Sequence, residues 1–234
     1  TLPSNVGLAV APDEDYVTVS DGTESLILAK ALVEEVLPQD RAWEQRDVKK
    51  GRDLVGLHYR PPFAYATPEG GEPHRVIAAD FVTLDTGSGI VHVAPAFGED
   101  DFRVAKQENL GFLQLVAPDG TFVDAVTDFA GRFCRDAPRD SVGAPRRRAL
   151  LSREGFYRHD YPYCWRKMDD PLIQYARRSW FIRTTQEIGR VIDNNQRIGW
   201  EPPHIKDGRF GEFLRSNVDW ALSRERFWGT PLPI

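Results

Sequence analysis

Apolar and polar residues along this chain fall into short runs separated by turn residues, the pattern of many brief strands with few helices. Val6 to Val10 and Tyr16 to Ser20 read as two strands on either side of Pro12-Asp-Glu-Asp15, a hairpin pattern. Glu24 to Leu37 carries Leu26, Ala29, Leu32, Val33, Val36 and Leu37 at helical spacing before Pro38, so a scaffold helix covering a sheet is predicted there. Val48 to Tyr59 resumes strand character until Arg60-Pro-Pro62, and Thr67 to Pro73 is a polar loop. Val76 to Leu84 alternates as a strand, expected to pair beside the apolar run Ile90 to Ala94. Pro95 ends that run, Gly98 is expected to make a turn that a Cβ would resist, and Glu99 to Asn109 reads as a helix stopped by Gly111, with acids at its positive end. Phe112 to Val116 and Thr121 to Val126 flank the turn Pro118-Asp-Gly120. Further on, Ser179 to Arg183 reads as a buried strand, and Asp207 to Arg224 places Phe210, Phe213, Leu214, Val218 and Ala221 on one helical face.

Composition adds bounds to this α+β, barrel-like reading. The 234 residues suffice for one good core, or for a domain of about 150 residues with an appendage. A formal net charge of −5 argues against nucleic-acid affinity through the overall field, so any RNA contact must come from a local patch. Residues 132–158 hold eight arginines against three acids and are the one locally basic stretch, readable either as a solvated helix face or as a phosphate contact. Two cysteines, Cys134 and Cys164, make neither a disulfide framework nor a metal cluster, and no long apolar run or signal peptide is visible. A cytoplasmic setting with no membrane contact is the expectation.

The stretch from Gly87 to Asp101 concentrates the candidate chemistry. Gly87 and Gly89 let backbone come close to a neighbour, His92 sits inside an apolar strand, and Glu99, Asp100 and Asp101 follow where strand meets helix. By itself His92 reads as a hydrogen-bonded core residue and the acids as helix caps. Together they describe a pocket with a carboxylate able to hold a cation such as an amino group.

Gly87-Ser-Gly-Ile-Val-His-Val-Ala-Pro-Ala-Phe-Gly-Glu-Asp-Asp101 resembles the editing-site signature of isoleucyl-tRNA synthetases. Thr1-Leu-Pro-Ser-Asn5 resembles the opening strand of the same domain, and Asp219 to Pro233 the segment leading back to that family's catalytic domain. Valyl and leucyl relatives share the architecture, but an arginine-bearing opening strand is expected in them. The resemblance implies a β-barrel-centred editing domain of class I aminoacyl-tRNA synthetases with peripheral helices over residues 1–159, and a return segment over 160–234. It implies hydrolysis of valine mischarged on isoleucine tRNA, with valyl-adenylate as a possible second substrate and isoleucine excluded by size. Asp101 matches the acid that grips the substrate amino group, and His92 the residue beside the side-chain pocket. Thr1 and Asn5 match positions lining the pocket, while Gly89 and Ala94 leave room for substrate. In the family a threonine-rich strand precedes Thr1, so hydroxyls beyond this chain are expected to complete the site.

Partners implied are the acceptor 3′ end of isoleucine tRNA and the remaining catalytic and anticodon-binding domains of the same polypeptide. No adenylate signature occurs here, so ATP belongs to the full-length ligase and no cofactor to this segment. Cys164 matches a zinc-ligand position of some members, but Lys167 stands where the second cysteine follows, so no zinc is expected.

Overall fold

The computed structural model describes residues 1–85, 87–136, 151 and 160–224, with the backbone alone at Asp170. Strands β1 (Gly7–Val10), β2 (Asp15–Ser20), β3 (Ser25–Ala29), β4 (Glu44–Lys50), β5 (Arg75–Ala78) and β6 (Ile90–Val93) form two three-stranded sheets, ordered β5-β1-β6 and β3-β2-β4. β1 runs parallel to β5 and antiparallel to β6, with Leu8 opposite His92 and Val10 opposite Ile90. The fold is α+β and β-centred, as expected. Among the described residues its ladders remain separate small sheets and do not join into one closed barrel.

Several local expectations change. β1 and β2 do not form a hairpin with each other; they go to different sheets, because β1 is sandwiched by two distant strands. The helix expected over Glu24 to Leu37 is instead strand β3, a 3-10 turn (Lys30–Leu32) and a single α-helical turn, α1 (Val33–Val36). Turn chemistry explains the switch. Asp21 Oδ1 accepts the N–H groups of Thr23 at 2.8 Å and Glu24 at 2.9 Å, and Gly22 takes φ 87°. The chain therefore reverses tightly and sets Leu26 opposite Val19 and Leu28 opposite Val17. β5 lies beside β1 and not beside β6, so the strand expected next to the His92 strand is one place further away. β4 starts before Val48 and is exposed along its whole length, its charges engaged in ion pairs such as Lys50 with Asp15. A 3-10 turn (Gly51–Leu54) then leads into Gly56 to Tyr59, which bonds alongside β5.

The main core gathers Val6, Ile77, Val93, Leu110, Leu115 and Val126 between the β5-β1-β6 sheet, the loops after Leu110, and helix α2 (Glu99–Gln107), which buries Val104 and Ala105. The second sheet is joined to the first through Tyr16. Its hydroxyl donates to the Gly89 carbonyl at 2.6 Å and accepts the Ala11 N–H at 3.0 Å. A short hairpin, β7 (Tyr163–Cys164) and β8 (Lys167–Pro171), belongs to the same compact unit, which spans Thr1–Ala176. The division into compact units falls after Ala176, and Tyr175 and Ala176 bond within the first unit. Tyr175 donates its hydroxyl to the Val116 carbonyl, and the Ala176 N–H donates to the Ala96 carbonyl.

The second unit, Arg177–Ile234, contains β9 (Phe181–Ile182), α3 (Ile188–Gln196), α4 (Arg209–Arg215) and β10 (Trp220–Ala221), with β9 and β10 antiparallel. Its strands are not the expected buried ones: Trp180 is 65% and Phe181 58% exposed. The helical face expected over Asp207 to Arg224 stops at Arg215, with Leu214 buried while Phe213 and Val218 face outward. Asp219 ends the run by accepting both the N–H and the hydroxyl of Thr185.

Candidate functional site

Strand β6 carries His92, and Ala94 follows its last residue, Val93. Ala94, Pro95 and Ala96 are buried in the turn that follows, and α2 begins at Glu99. Asp101, in the first turn of that helix, reaches back so that its Oδ2 accepts the Ala94 N–H at 2.9 Å. Gly98 is needed for this closure, though not for the backbone reason expected. Its φ of −143° is open to any residue; a Cβ there would lie 3.0 Å from Asp101 Cγ and 3.2 Å from Oδ2. The glycine is thus a space for the carboxylate.

Asp101 forms no ion pair among the described residues, and burial raises its pKa. The Ala94 N–H opposes that shift, and the neighbouring Asp100 charge adds to it. A partly buried carboxylate without a cation is a place where a cationic ligand gains most.

His92 stands opposite Leu8 and points its Nε2 at Thr1 Oγ1, 3.1 Å away; its Nδ1 is buried with no hydrogen-bond partner among the described residues. Burial lowers its pKa to about 4. The ring is neutral at physiological pH and too weak a base to be matched to proton abstraction there. It can shape a pocket and hydrogen-bond through Nδ1.

Thr1, exposed, also borders a cavity of about 560 Å³ with Phe97, Cys134, Arg135, Tyr161 and Gln174. The Arg135 guanidinium sits 5.1 Å from the centre of the Tyr161 ring. Arg135, Tyr161 and Gln174 were not assigned to the site from the sequence, since they come from segments far from Thr1 and His92. The structure brings Thr1 to His92 and Asp101 to Ala94 as two separate pairs. Asn5 and Gly89 are occupied otherwise. Asn5 is 3% exposed, donates from Nδ2 to the Gly7 carbonyl at 2.8 Å and accepts at Oδ1 from the Tyr59 hydroxyl. Gly89, with φ 71°, presses on the other sheet: a Cβ would lie 2.5 Å from that of Ala29. The room it leaves is filled by protein. Most of the basic stretch 132–158 and the apolar end over residues 225–234 lie outside the described residues. Cys164 is a half-buried free thiol, and no group of three potential ligands is placed to hold a metal among the described residues.

The family model for class I tRNA synthetases (I, L, M and V) matches residues 18–234. The chain belongs to this family. Among curated relatives of these synthetases, the isoleucine–tRNA ligase of Bacillus thuringiensis (strain Al Hakam) is 46% identical over 234 residues, and that of Clostridium tetani (strain Massachusetts / E88) is 44% identical. Each alignment covers 100% of this chain and 22% of the relative, so the chain spans about a fifth of their length. The solved structure described as the crystal structure of GlLeuRS-CP1 superposes with a TM-score of 0.53 and 16% identity, covering 66% of this chain and 80% of that one. At that identity the likeness is one of fold, and it places this synthetase segment with the α+β CP1 architecture.

Proposed function

We propose that this segment is the editing site of an isoleucyl-type synthetase and hydrolyses the ester of valine mischarged on isoleucine tRNA. The observation that carries the reading is Asp101, a partly buried carboxylate in the first turn of α2, with one oxygen on the Ala94 N–H and no ion-pair partner among the described residues. Such a group suits the α-ammonium of an aminoacyl ester. Likeness to isoleucine–tRNA ligases over the whole chain supports the amino-acid assignment.

Rejecting valine at a site built for isoleucine is weak, because a missing methylene in an apolar pocket is worth about 1–3 kcal/mol; isoleucyl-tRNA synthetase is the standard illustration of that limit. A second pocket that only the smaller side chain enters turns the problem into one of steric exclusion. In this reading Asp101 orients the ester, while neutral His92 walls the side-chain pocket and offers Nδ1 to a water or a substrate oxygen. Positioning and polarisation of an already activated ester supply the chemistry. The cavity beside Thr1 is large enough to admit part of the tRNA acceptor end, and Arg135 over Tyr161 would meet it with a cation and a ring.

The test is deacylation of valyl- and isoleucyl-esters of isoleucine tRNA by the full-length polypeptide and by its Asp101→Ala variant. Selective cleavage of the valyl ester, lost in the variant, is the expected result. Binding of tRNA with no cleavage by either protein would leave a tRNA-binding scaffold in place of an editing enzyme.

A further inference from the structure

Asn5 lies beside the site, yet its amide is already committed within the protein. Its Nδ2 donates to the Gly7 carbonyl at 2.8 Å, and its Oδ1 accepts the Tyr59 hydroxyl. The Asn5 backbone N–H closes the 3-10 turn Leu2–Ser4 onto Leu2. Ser4, 1% exposed, is pinned as well, its Oγ accepting the Leu115 N–H at 3.3 Å. The turn is therefore held at Ser4 and Asn5, and Thr1, which precedes it, is what reaches His92 Nε2.

Tyr59 is itself held by backbone. Its N–H donates to the His74 carbonyl at 3.0 Å, the His74 N–H donates to the Val6 carbonyl at 2.7 Å, and the Tyr59 and His74 rings meet edge to face at 5.8 Å. His74 adopts φ 61°, a left-handed conformation unusual for a residue with a side chain, and it brings the segment bearing Tyr59 against the entry of β1. The phenol is thus aimed at Asn5 by backbone geometry that its own ring does not set.

We infer that Tyr59 is a positioning residue: through the Asn5 amide it fixes the turn Thr1–Asn5 and so sets the Thr1 hydroxyl on His92. The role rests on the editing reading of the site. Tyr59 touches no reacting group, and Asn5 on this account acts by holding the turn and not by contacting substrate. The bland alternative is that the phenol merely satisfies a buried amide, in which case its loss lowers stability and nothing else.

Two variants in the full-length polypeptide separate these accounts, Tyr59→Phe and Asn5→Ser, which break the same link from opposite ends, the second also removing the bond to the Gly7 carbonyl. Valyl-ester deacylation is read as kcat and KM, and the His92 imidazole is read by its ¹⁵N resonances, assigned with His92→Gln. The expected result is a fall in kcat of about tenfold to a hundredfold with KM changed less than about twofold, the scale of a small misplacement at a reacting centre. The His92 Nε2 resonance moves in the same direction in both variants and in Thr1→Val, and Tyr59→Phe adds nothing to Thr1→Val because both act through one contact. Folded variants with wild-type kcat and unmoved His92 resonances overturn the inference. Should the wild-type protein cleave no valyl ester, the editing reading fails on its own, and the His92 resonances still decide whether Tyr59 sets the Thr1 contact.

Discussion

At the scale of single residues, Asp101 and His92 pull stability in opposite directions with pH. His92 is the simpler case. Between pH 6.5 and about 4 the unfolded chain binds a proton that the buried ring refuses. Stability from this residue is therefore fully present above about pH 6.5 and is lost as pH falls towards 4. Replacing His92 by Gln should flatten that part of the pH dependence, checked by urea unfolding at about pH 7 and about pH 4.5. Asp101 has a raised pKa, so the folded state holds its proton more readily than the unfolded one, and its contribution falls as pH rises past the ordinary carboxylate range. Asp101→Asn can keep an oxygen on the Ala94 N–H while removing the unneutralised charge. We expect it to be at least as stable as wild type at neutral pH and to lose valyl-ester cleavage by about a hundredfold or more, the scale of losing a preorganised electrostatic contact. Asp101→Ala strands the Ala94 N–H in a buried turn and should cost about 1–3 kcal/mol as well. Equal destabilisation by Asn and Ala would make the carboxylate structural.

At the scale of elements, the unit that places these residues is β6, the Ala94 to Gly98 turn and α2. Two glycines at its ends test different things. Gly89→Ala puts a Cβ 2.5 Å from that of Ala29 at a φ of 71°, and overpacking between sheets costs about 1–3 kcal/mol, so the midpoint of chemical unfolding should fall. Gly98→Ala meets the Asp101 carboxylate at 3.0 Å with no backbone strain, so deacylation should fall about tenfold while the unfolding midpoint stays near wild type. The strand, the proline stop and the helix of this unit were legible in the sequence because each depends on neighbours within a few residues. The helix expected over Glu24 to Leu37 failed for the same kind of reason. Its apolar spacing suits a helix, but the Asp21 turn commits the chain to a strand partner first. Links that no local pattern contains stayed invisible: the Tyr59 hydroxyl meets Asn5 across 54 positions, and Thr1 meets His92 across 91. His92 and Asp101 were legible as a site only through the resemblance of their surroundings to a family, since a histidine in an apolar strand reads first as core.

At the scale of the whole molecule, each of the two compact units is held together by different means. Thr1–Ala176 contains all three hydrophobic clusters, with Val6, Ala9, Val10, Val17 and Val93 fully buried. Among the described residues of Arg177–Ile234, buried positions are confined to Asn195, Gly211 and Leu214. Polar contacts carry more of that unit: Asn195 accepts from Trp200 Nε1 at 2.8 Å and donates to the Lys206 carbonyl at 2.9 Å, while Trp180, Phe213, Val218 and Trp220 remain more than half exposed. Free energy of opening tracks buried apolar contact, so the two units should open separately. Native-state hydrogen exchange on this 234-residue chain should show the amides of α3 and α4 exchanging at least about a hundredfold faster than those of β1 and β6, a gap of roughly 2.7 kcal/mol in opening free energy. The same experiment on the full-length polypeptide separates two causes. If protection of α3 and α4 rises there to the level of β1, the exposed aromatic face is completed by the rest of the synthetase. If it stays low, the second unit is intrinsically the labile part. Equal protection of both units in the isolated chain would contradict the expectation, and would mean that the polar network around Asn195 stabilises its unit as strongly as the buried clusters stabilise theirs.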